Sequence, residues 1–243
     1  ANPNQTVNYV SCHDNYTLFD QLNYSLAEDP GMDPPAEKEP NPLMVAEAST
    51  ACHAAVFSSN GVAFMQGGEE LFRSKVQDNP EAIPYPDLPS WSSDPEQEVC
   101  TNGDVRMFGK IISHNSYQSS DVCNSFKWDR KIAIEYRGND VDVSGLFDKY
   151  KQMVRLHNEL PKYGFPDNTT DVTYIQTDYV HNGSSAMRVS IGNYVLYFSG
   201  RSGGTVVHLG GTNIFQSYAT GSKYSISGSN INLQPFAFVV FKR

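Results

Sequence analysis

The chain has 243 residues, 39% hydrophobic and 19% charged, enough to bury one large core or two modest ones and too apolar for a disordered segment. With 18 Lys and Arg against 27 Asp and Glu the net charge is −9, a field that repels phosphate backbones and anionic headgroups, so no nucleic-acid partner is expected. No window approaches the roughly 18 unbroken apolar residues needed to cross a bilayer, and Ala1–Gln5 lacks the charged and apolar regions of a leader, so no membrane span or targeting segment is expected here.

Cys12, Cys52, Cys100 and Cys123 are widely spaced with no C-x-x-C pair, which favours free thiols over a zinc or redox motif. Sequons occur at Asn4, Asn15, Asn23, Asn168 and Asn182, a weak signal in an Asn- and Ser-rich chain.

In chain order, Thr6–Ser11 is short, β-branched and aromatic and reads as a buried strand. After Thr17–Asn23 the Pro-rich stretch Asp29–Pro35 breaks regular structure. Asn41-Pro42 then supplies a cap and a first-turn proline for an alanine-rich helix from about Leu43 to Phe57. Gly61 marks the turn into a second strand, Val62–Gln66, and strand, helix, strand is the βαβ pattern of a parallel sheet. Gly67–Asn139 shows no helical period, and Asn79–Asp104, with five prolines, reads as a long loop at a site's rim or in disorder. Ser144 caps an amphipathic helix whose apolar face is Leu146, Phe147, Tyr150, Met153, Val154, His157 and Leu160, ending at Pro161. Beyond Tyr163, short runs at Val172–Gln176, Ala186–Ile191, Tyr194–Phe198, Val206–Leu209 and Phe236–Phe241 predict an antiparallel β-sandwich. The expected division is therefore an α/β part over 1–163 and an all-β part over 164–243.

The densest chemistry is His13-Asp14-Asn15, a polar run directly after the first predicted strand. Catalytic groups emerge at that position in α/β barrels, although an isolated His-Asp pair is also an ordinary loop feature. Tyr9–Asp20 (YVSCHDNYTLFD) resembles the seventh-strand motif of the α-amylase superfamily, in the form seen in type I pullulanases of glycoside hydrolase family 13. Gly61–Lys75 (GVAFMQGGEELFRSK) is similar to that family's eighth-strand motif, and His114–Asp121 followed by Phe126–Lys131 resembles the loop after it. Three motifs in order are far more specific than one, and the resemblance extends over nearly the whole chain.

The resemblance implies the last two βα units of a (β/α)8 barrel followed by a β-sandwich, and a retaining hydrolysis of α-1,6-glucosidic bonds in pullulan, glycogen, starch or branched dextrins. It implies that Asp14 is the carboxylate that holds sugar hydroxyls and strengthens its grip at the transition state, and that His13 donates to the same sugar. Asn15 is placed to contact substrate, so a glycan on that sequon would obstruct the cleft. Asn115, Tyr117 and Asp121 become candidate walls of a neighbouring glucose subsite, or an ordinary Asn/Ser turn. Glu69 and Glu70 read as structural support that buttresses basic residues. Trp91 and Trp128 are sugar platforms or packing anchors.

The family's nucleophilic Asp and acid Glu lie on earlier strands, and these residues contain no Arg-x-Asp motif. The chain is thus expected to be inactive alone, with an upstream barrel segment and an α-glucan as partners. The alternative is a non-catalytic amylase-like scaffold that binds α-glucan or protein. Ala63 stands where the family usually has Pro, and the long segment Val76–Ser113 would sit near the cleft mouth as a restriction or lid.

Three other readings carry less. Gly200–Gly204 matches a nucleophile-elbow string but precedes a strand. Asp14 as the acid of an α/β-hydrolase triad has no further support. No metal is expected from His13, Asp14, His53 and Asp20, which lack ligand spacing, and calcium on loop carboxylates is compatible with the composition but argued for by no motif.

Overall fold

The computed structural model describes residues 6–27, 36–77, 104–117, 119–160, 176–179 and 185–243. The expectations for Asp29–Pro35, the proline-rich loop, Trp91, Cys100, most of Val172–Gln176 and the 163/164 boundary lie outside these residues. The elements are β1 (Val7–Asn8), α1 (Leu18–Leu26), α2 (Pro42–Ser58), β2 (Val62–Ala63), β3 (Val105–Met107), β4 (Lys110–Ile112), α3 (Asp121–Asn124), β5 (Ala133–Tyr136), β6 (Asn139–Asp142), α4 (Ser144–Glu159) and the strands β7 to β14 given below. Short 3₁₀ turns lie at Ala36–Lys38, Glu69–Leu71 and Trp128–Lys131. The chain forms two compact units, one of Ala1–Val10, Ala46–Met65 and Asp142–Arg243, the other of Ser11–Val45 and Gln66–Val141.

In the first unit β1 and β2 pair in parallel, Val7 opposite Val62 and Asn8 opposite Ala63. Gly61, at φ 100°, makes this approach feasible, since a Cβ there would lie 2.7 Å from the Thr6 carbonyl. Both predicted strands shrink to two residues, and Val7, Tyr9, Val62 and Phe64 are exposed where burial was expected. Two paired strands cannot cover their own faces.

Helix α2 starts as its sequence dictates, with Asn41 Oδ1 accepting from the Leu43 amide at 2.9 Å and Pro42 in the first turn. Alanines make it thin and fully packable: Val45, Ala46, Ala48 and Ala54 are buried. Thr50 and Ser58 donate back to the carbonyls of Ala46 and Ala54, both at 2.7 Å, so their hydroxyls can sit in that interior. Helix α4 lays Leu146, Tyr150, Met153 and Leu156 inward. The expected face is corrected at one turn, where Val154 is exposed and Leu156 replaces it. Ser144 is not the cap: Val143 holds that position and Asp142 Oδ1 accepts from the Ser144 amide at 2.8 Å. Tyr150 OH and His53 Nδ1 meet at 3.1 Å, and His157 Nδ1 reaches the Phe57 carbonyl at 2.7 Å.

The C-terminal strands are β7 (Gln176–Tyr179), β8 (Ala186–Ile191), β9 (Tyr194–Ser199), β10 (Gly204–Val207), β11 (Thr212–Gln216), β12 (Tyr224–Ser227), β13 (Asn230–Leu233) and β14 (Phe238–Lys242). They form two antiparallel sheets, ordered β11-β14-β9-β8-β7 and β10-β13-β12. Val195, Tyr197, Val239 and Phe241 of the larger sheet share one core with Val206, Ile231 and Leu233 of the smaller. The Tyr197 hydroxyl, inside this core, accepts from the Leu209 amide at 2.9 Å, which satisfies its polar end.

In the second unit the hairpins β3–β4 and β5–β6 turn on Phe108-Gly109 and Arg137-Gly138, all four residues at positive φ. Ala27, Met107, Phe108 and Ile112 form its small core.

Candidate functional site

The second unit holds every candidate residue. His13, Asp14 and Asn15 lie on an exposed turn, with His13 Nε2 3.5 Å from Asp14 Oδ2 and side chains 82% and 71% exposed. A pair so open contributes little to stability, which leaves both groups free to meet a ligand. Asn15 is left-handed at φ 64°, a conformation asparagine tolerates because its short amide bonds locally.

Under this turn lies Lys75, with no exposed surface. Its Nζ donates to the carbonyls of Asn15 at 2.5 Å and of His13 and His114 at 3.3 Å. One ammonium therefore gathers the 13–15 turn and the start of the 114–117 segment. Tyr16 adds an edge contact to the His114 ring, centroids 5.4 Å apart. Burial, and next the nearby Arg73 charge, pull the Lys75 pKa down, while Asp20, Cys123 and Asp14 act to hold its proton.

Asp20 anchors the other end of the lysine residue. Its Oδ2 accepts from the Lys75 amide and from Thr17 Oγ1, both at 2.9 Å, and its Oδ1 from the Ser74 hydroxyl. Thr17 also caps α1, accepting from the Asp20 amide at 3.1 Å. Burial raises the Asp20 pKa above the usual carboxylate range, opposed by these bonds and by Arg130. Arg130 stacks over Phe19, 5.3 Å from the ring centre, and donates to the Phe72 carbonyl at 2.7 Å.

Glu69, also buried, accepts from the Ser11 hydroxyl and from the Leu18 amide at 3.4 Å, so it supports both ends of the 12–17 turn. Glu70 closes a local loop, accepting from the Gly68 amide at 2.9 Å. A second chain of bonds runs alongside. With the Gln66 amide nitrogen facing the Cys12 carbonyl at 2.9 Å, its oxygen accepts from Arg73 at 2.9 Å. Arg73 Nη2 then donates to Asn124 Oδ1 at 3.2 Å, and Asn124 Nδ2 to the carbonyls of Ser116 at 2.8 Å and Ser119 at 3.3 Å.

Asn115 Oδ1 accepts from the Tyr117 amide at 3.2 Å, an Asx-type turn that leaves Tyr117 89% exposed. Asp121 opens α3, exposed, behind the Ser120 cap. Trp128 is 65% exposed beside Phe126, ring centres 6.3 Å apart, and is no core anchor. Cys12, Cys52 and Cys123 carry thiols. Among the described residues no three His, Cys, Asp or Glu converge as a metal site, and no helix is long and apolar enough to cross a membrane.

The structure thus brings His13, Asp14 and Asn15 toward Asn115 through Lys75, and Glu69 beneath them. Lys75 was absent from the sequence-based set, and Asp20 entered it only in the discounted metal grouping. Their signal was slight: both are charged residues within the two quoted motifs, and nothing in the spacing says that they are buried together.

No protein-family model matches the chain. It is 39% identical over 75 residues to a pullulanase of Klebsiella aerogenes, a match covering 31% of this chain and 6% of that protein. It is 27% identical over 129 residues to a pullulanase of Bacillus subtilis, covering 53% of this chain and 12% of that protein. The crystal structure of a pullulanase from Anoxybacillus sp. LM18-11 complexed with maltotetraose superimposes with a TM-score of 0.61 at 17% identity, over 100% of this chain and 28% of that one. In sequence and in fold the chain is pullulanase-like, consistent with glycoside hydrolase family 13. It spans a small part of the length of the curated relatives it matches.

Proposed function

We propose that the chain is the C-terminal part of a debranching glycoside hydrolase that cleaves α-1,6-glucosidic linkages with retention. In this reading residues 1–163 supply the last two βα units of a (β/α)8 barrel, with 76–113 as an insertion at the cleft, and 164–243 form a β-sandwich. The exposed faces of Val7, Tyr9, Val62 and Phe64 support it, because a two-stranded parallel pair with bare apolar faces calls for neighbouring strands.

The observation that carries the reading is the gathering of the His13–Asn15 turn and the His114–Asn115 segment on one buried ammonium. Asp14 then holds sugar hydroxyls as the ring flattens toward an oxocarbenium-like state, and bonds that tighten there lower the barrier more than they tighten ground-state binding. His13 donates to the same sugar, Asn15 contacts the leaving side, and Asn115, Tyr117 and Asp121 line the adjoining subsite. Nucleophile and acid come from upstream strands, so the 243-residue chain, with the sugar-facing residues but neither of these groups, is inactive alone.

Reducing-sugar release from pullulan tests this, comparing the chain alone with a form extended upstream through the missing strands. Activity in the extended form only is expected. Activity in the 243-residue chain would overturn these roles, since nucleophile and acid would then lie among its own carboxylates.

A further inference from the structure

We propose that Lys75 is a positioning residue, an ammonium clamp that sets the geometry of the two sugar-facing segments relative to each other. The inference rests on the glucan-site reading above and extends it to a residue that touches no sugar.

An ammonium carries three donors and no acceptor, and Nζ meets three carbonyls, those of His13, Asn15 and His114. The shortest bond, 2.5 Å, goes to Asn15, the residue in the left-handed conformation, so the clamp acts where the turn is least self-supporting. The lysine itself is fixed from both sides. Asp20 holds its amide, and the neighbouring Ser113 amide donates to the Lys75 carbonyl at 2.9 Å, which ties the same residue to the 113–117 backbone. Its backbone thus locates one segment and its side chain joins that segment to the other. Asp14 lies between the two clamped carbonyls of its own turn, so its carboxylate is aimed by bonds on either side of it. Asn115 follows the third clamped carbonyl. Both candidate sugar contacts are therefore displaced together if the ammonium is lost.

The test uses the 243-residue chain, the variants Lys75→Met and Lys75→Arg, and maltotetraose as probe. In the wild type, through-bond NMR couplings from the Lys75 Nζ to the carbonyls of His13, Asn15 and His114 are expected. Lys75→Met keeps the stem and removes the cation. It should move the amide signals of 13–16 and 114–117 together, leave those of the C-terminal sheets in place, and weaken maltotetraose binding roughly tenfold or more, the scale of about one charged hydrogen bond. Lys75→Arg restores a cation and should recover binding to within about threefold, a rescue that a purely space-filling role would not give. Loss of only one segment's signals, or an Arg variant as weak as the Met variant, overturns the proposal. If Lys75→Met fails to fold, absence of any of the three wild-type couplings still refutes it. Wild-type chain that shows the couplings yet binds no maltotetraose would sink the glucan-site reading and leave the clamp standing.

Discussion

Replacing Asp20 by alanine removes the acceptor of three donors, the Thr17 cap of its own helix and the consecutive residues Ser74 and Lys75. The Lys75 amide, at 2.9 Å, has a fixed direction and is left buried without this carboxylate, which costs about 2 to 3 kcal/mol for a bond to a charged acceptor. The Thr17 and Ser74 hydroxyls can swing to other acceptors, so each adds only about 0.5 to 1 kcal/mol. Against this, the variant no longer desolvates a carboxylate, and that relief offsets part of the loss. The net expectation is a destabilisation of about 2 to 4 kcal/mol. Asp20→Asn should cost about 1 kcal/mol, because its oxygen keeps the Thr17 and Lys75 bonds while the Ser74 hydroxyl turns to accept from the new amide. Urea unfolding followed by tryptophan fluorescence measures both. An Asp20→Ala variant within about 0.5 kcal/mol of wild type would refute the claim that this carboxylate organises the unit. Acid supplies an independent arm. Burial raises the Asp20 pKa above its unfolded value, so the folded state holds the proton more tightly. The resulting stabilisation is full below the unfolded pKa near 3.8 and is lost as pH rises through the folded one. Wild type should therefore gain stability relative to Asp20→Asn between pH 7 and pH 4. A relative loss would mean that the hydrogen bonds outweigh desolvation.

In an enzyme completed by upstream strands, Asp14→Asn should lower kcat by roughly 100-fold or more with a much smaller change in KM, as steady-state kinetics on pullulan would show. Unchanged kcat removes Asp14 from the site. Gly68→Ala should destabilise by about 1 to 3 kcal/mol, since Gly68 has φ 95° and a Cβ would lie 2.9 Å from Phe126 Cε1 and 3.0 Å from Arg73 Cδ. Thermal unfolding at wild-type temperature would disprove the crowding. In the first unit, Lys223 pairs with Glu47, a carboxylate only 7% exposed. Lys223→Met should cost about 2 to 4 kcal/mol by stranding that charge, and a denaturation midpoint equal to wild type would show that water reaches it.

Where side-chain periodicity or a cap decided an element, the sequence was sufficient. Asn41-Pro42 and the alanine run located α2 almost to the residue, and the apolar run at Ala186–Ile191 matches β8 end to end. Two misses have different causes. The strands β12 and β13, rich in Ser and Asn, carry little apolar signal, because much of their stability comes from backbone pairing, with Tyr224, Ile231 and Leu233 reaching the core. The hairpins β3–β4 and β5–β6 escape because strands of three or four residues are too short to show an alternating pattern, although Phe108-Gly109 and Arg137-Gly138 each end in the glycine that such a turn favours. The first and second strands failed in the opposite direction. Their aromatic, β-branched pattern is that of buried strands, yet among the described residues nothing covers the faces of Val7, Tyr9, Val62 and Phe64.

The candidate site divides along a similar line. Residues that would meet a ligand, His13, Asp14, Asn15 and Asn115, are polar, clustered and exposed, and a motif exposes them to reading. Residues that hold them, Asp20, Glu69 and Lys75, are charged groups that composition alone would assign to the surface. Each is buried against backbone groups of the turn or of the segments beside it, with hydroxyls as further partners of the two carboxylates: Glu69 serves the Leu18 amide, Asp20 the Lys75 amide, and Lys75 three carbonyls. An irregular turn displaying His and Asp outward has left its own amides and carbonyls facing inward, and those groups must be satisfied. The buried charges are thus the counterpart of the exposed ones. Backbone pairing, which a linear sequence does not encode residue by residue, is what selects their positions.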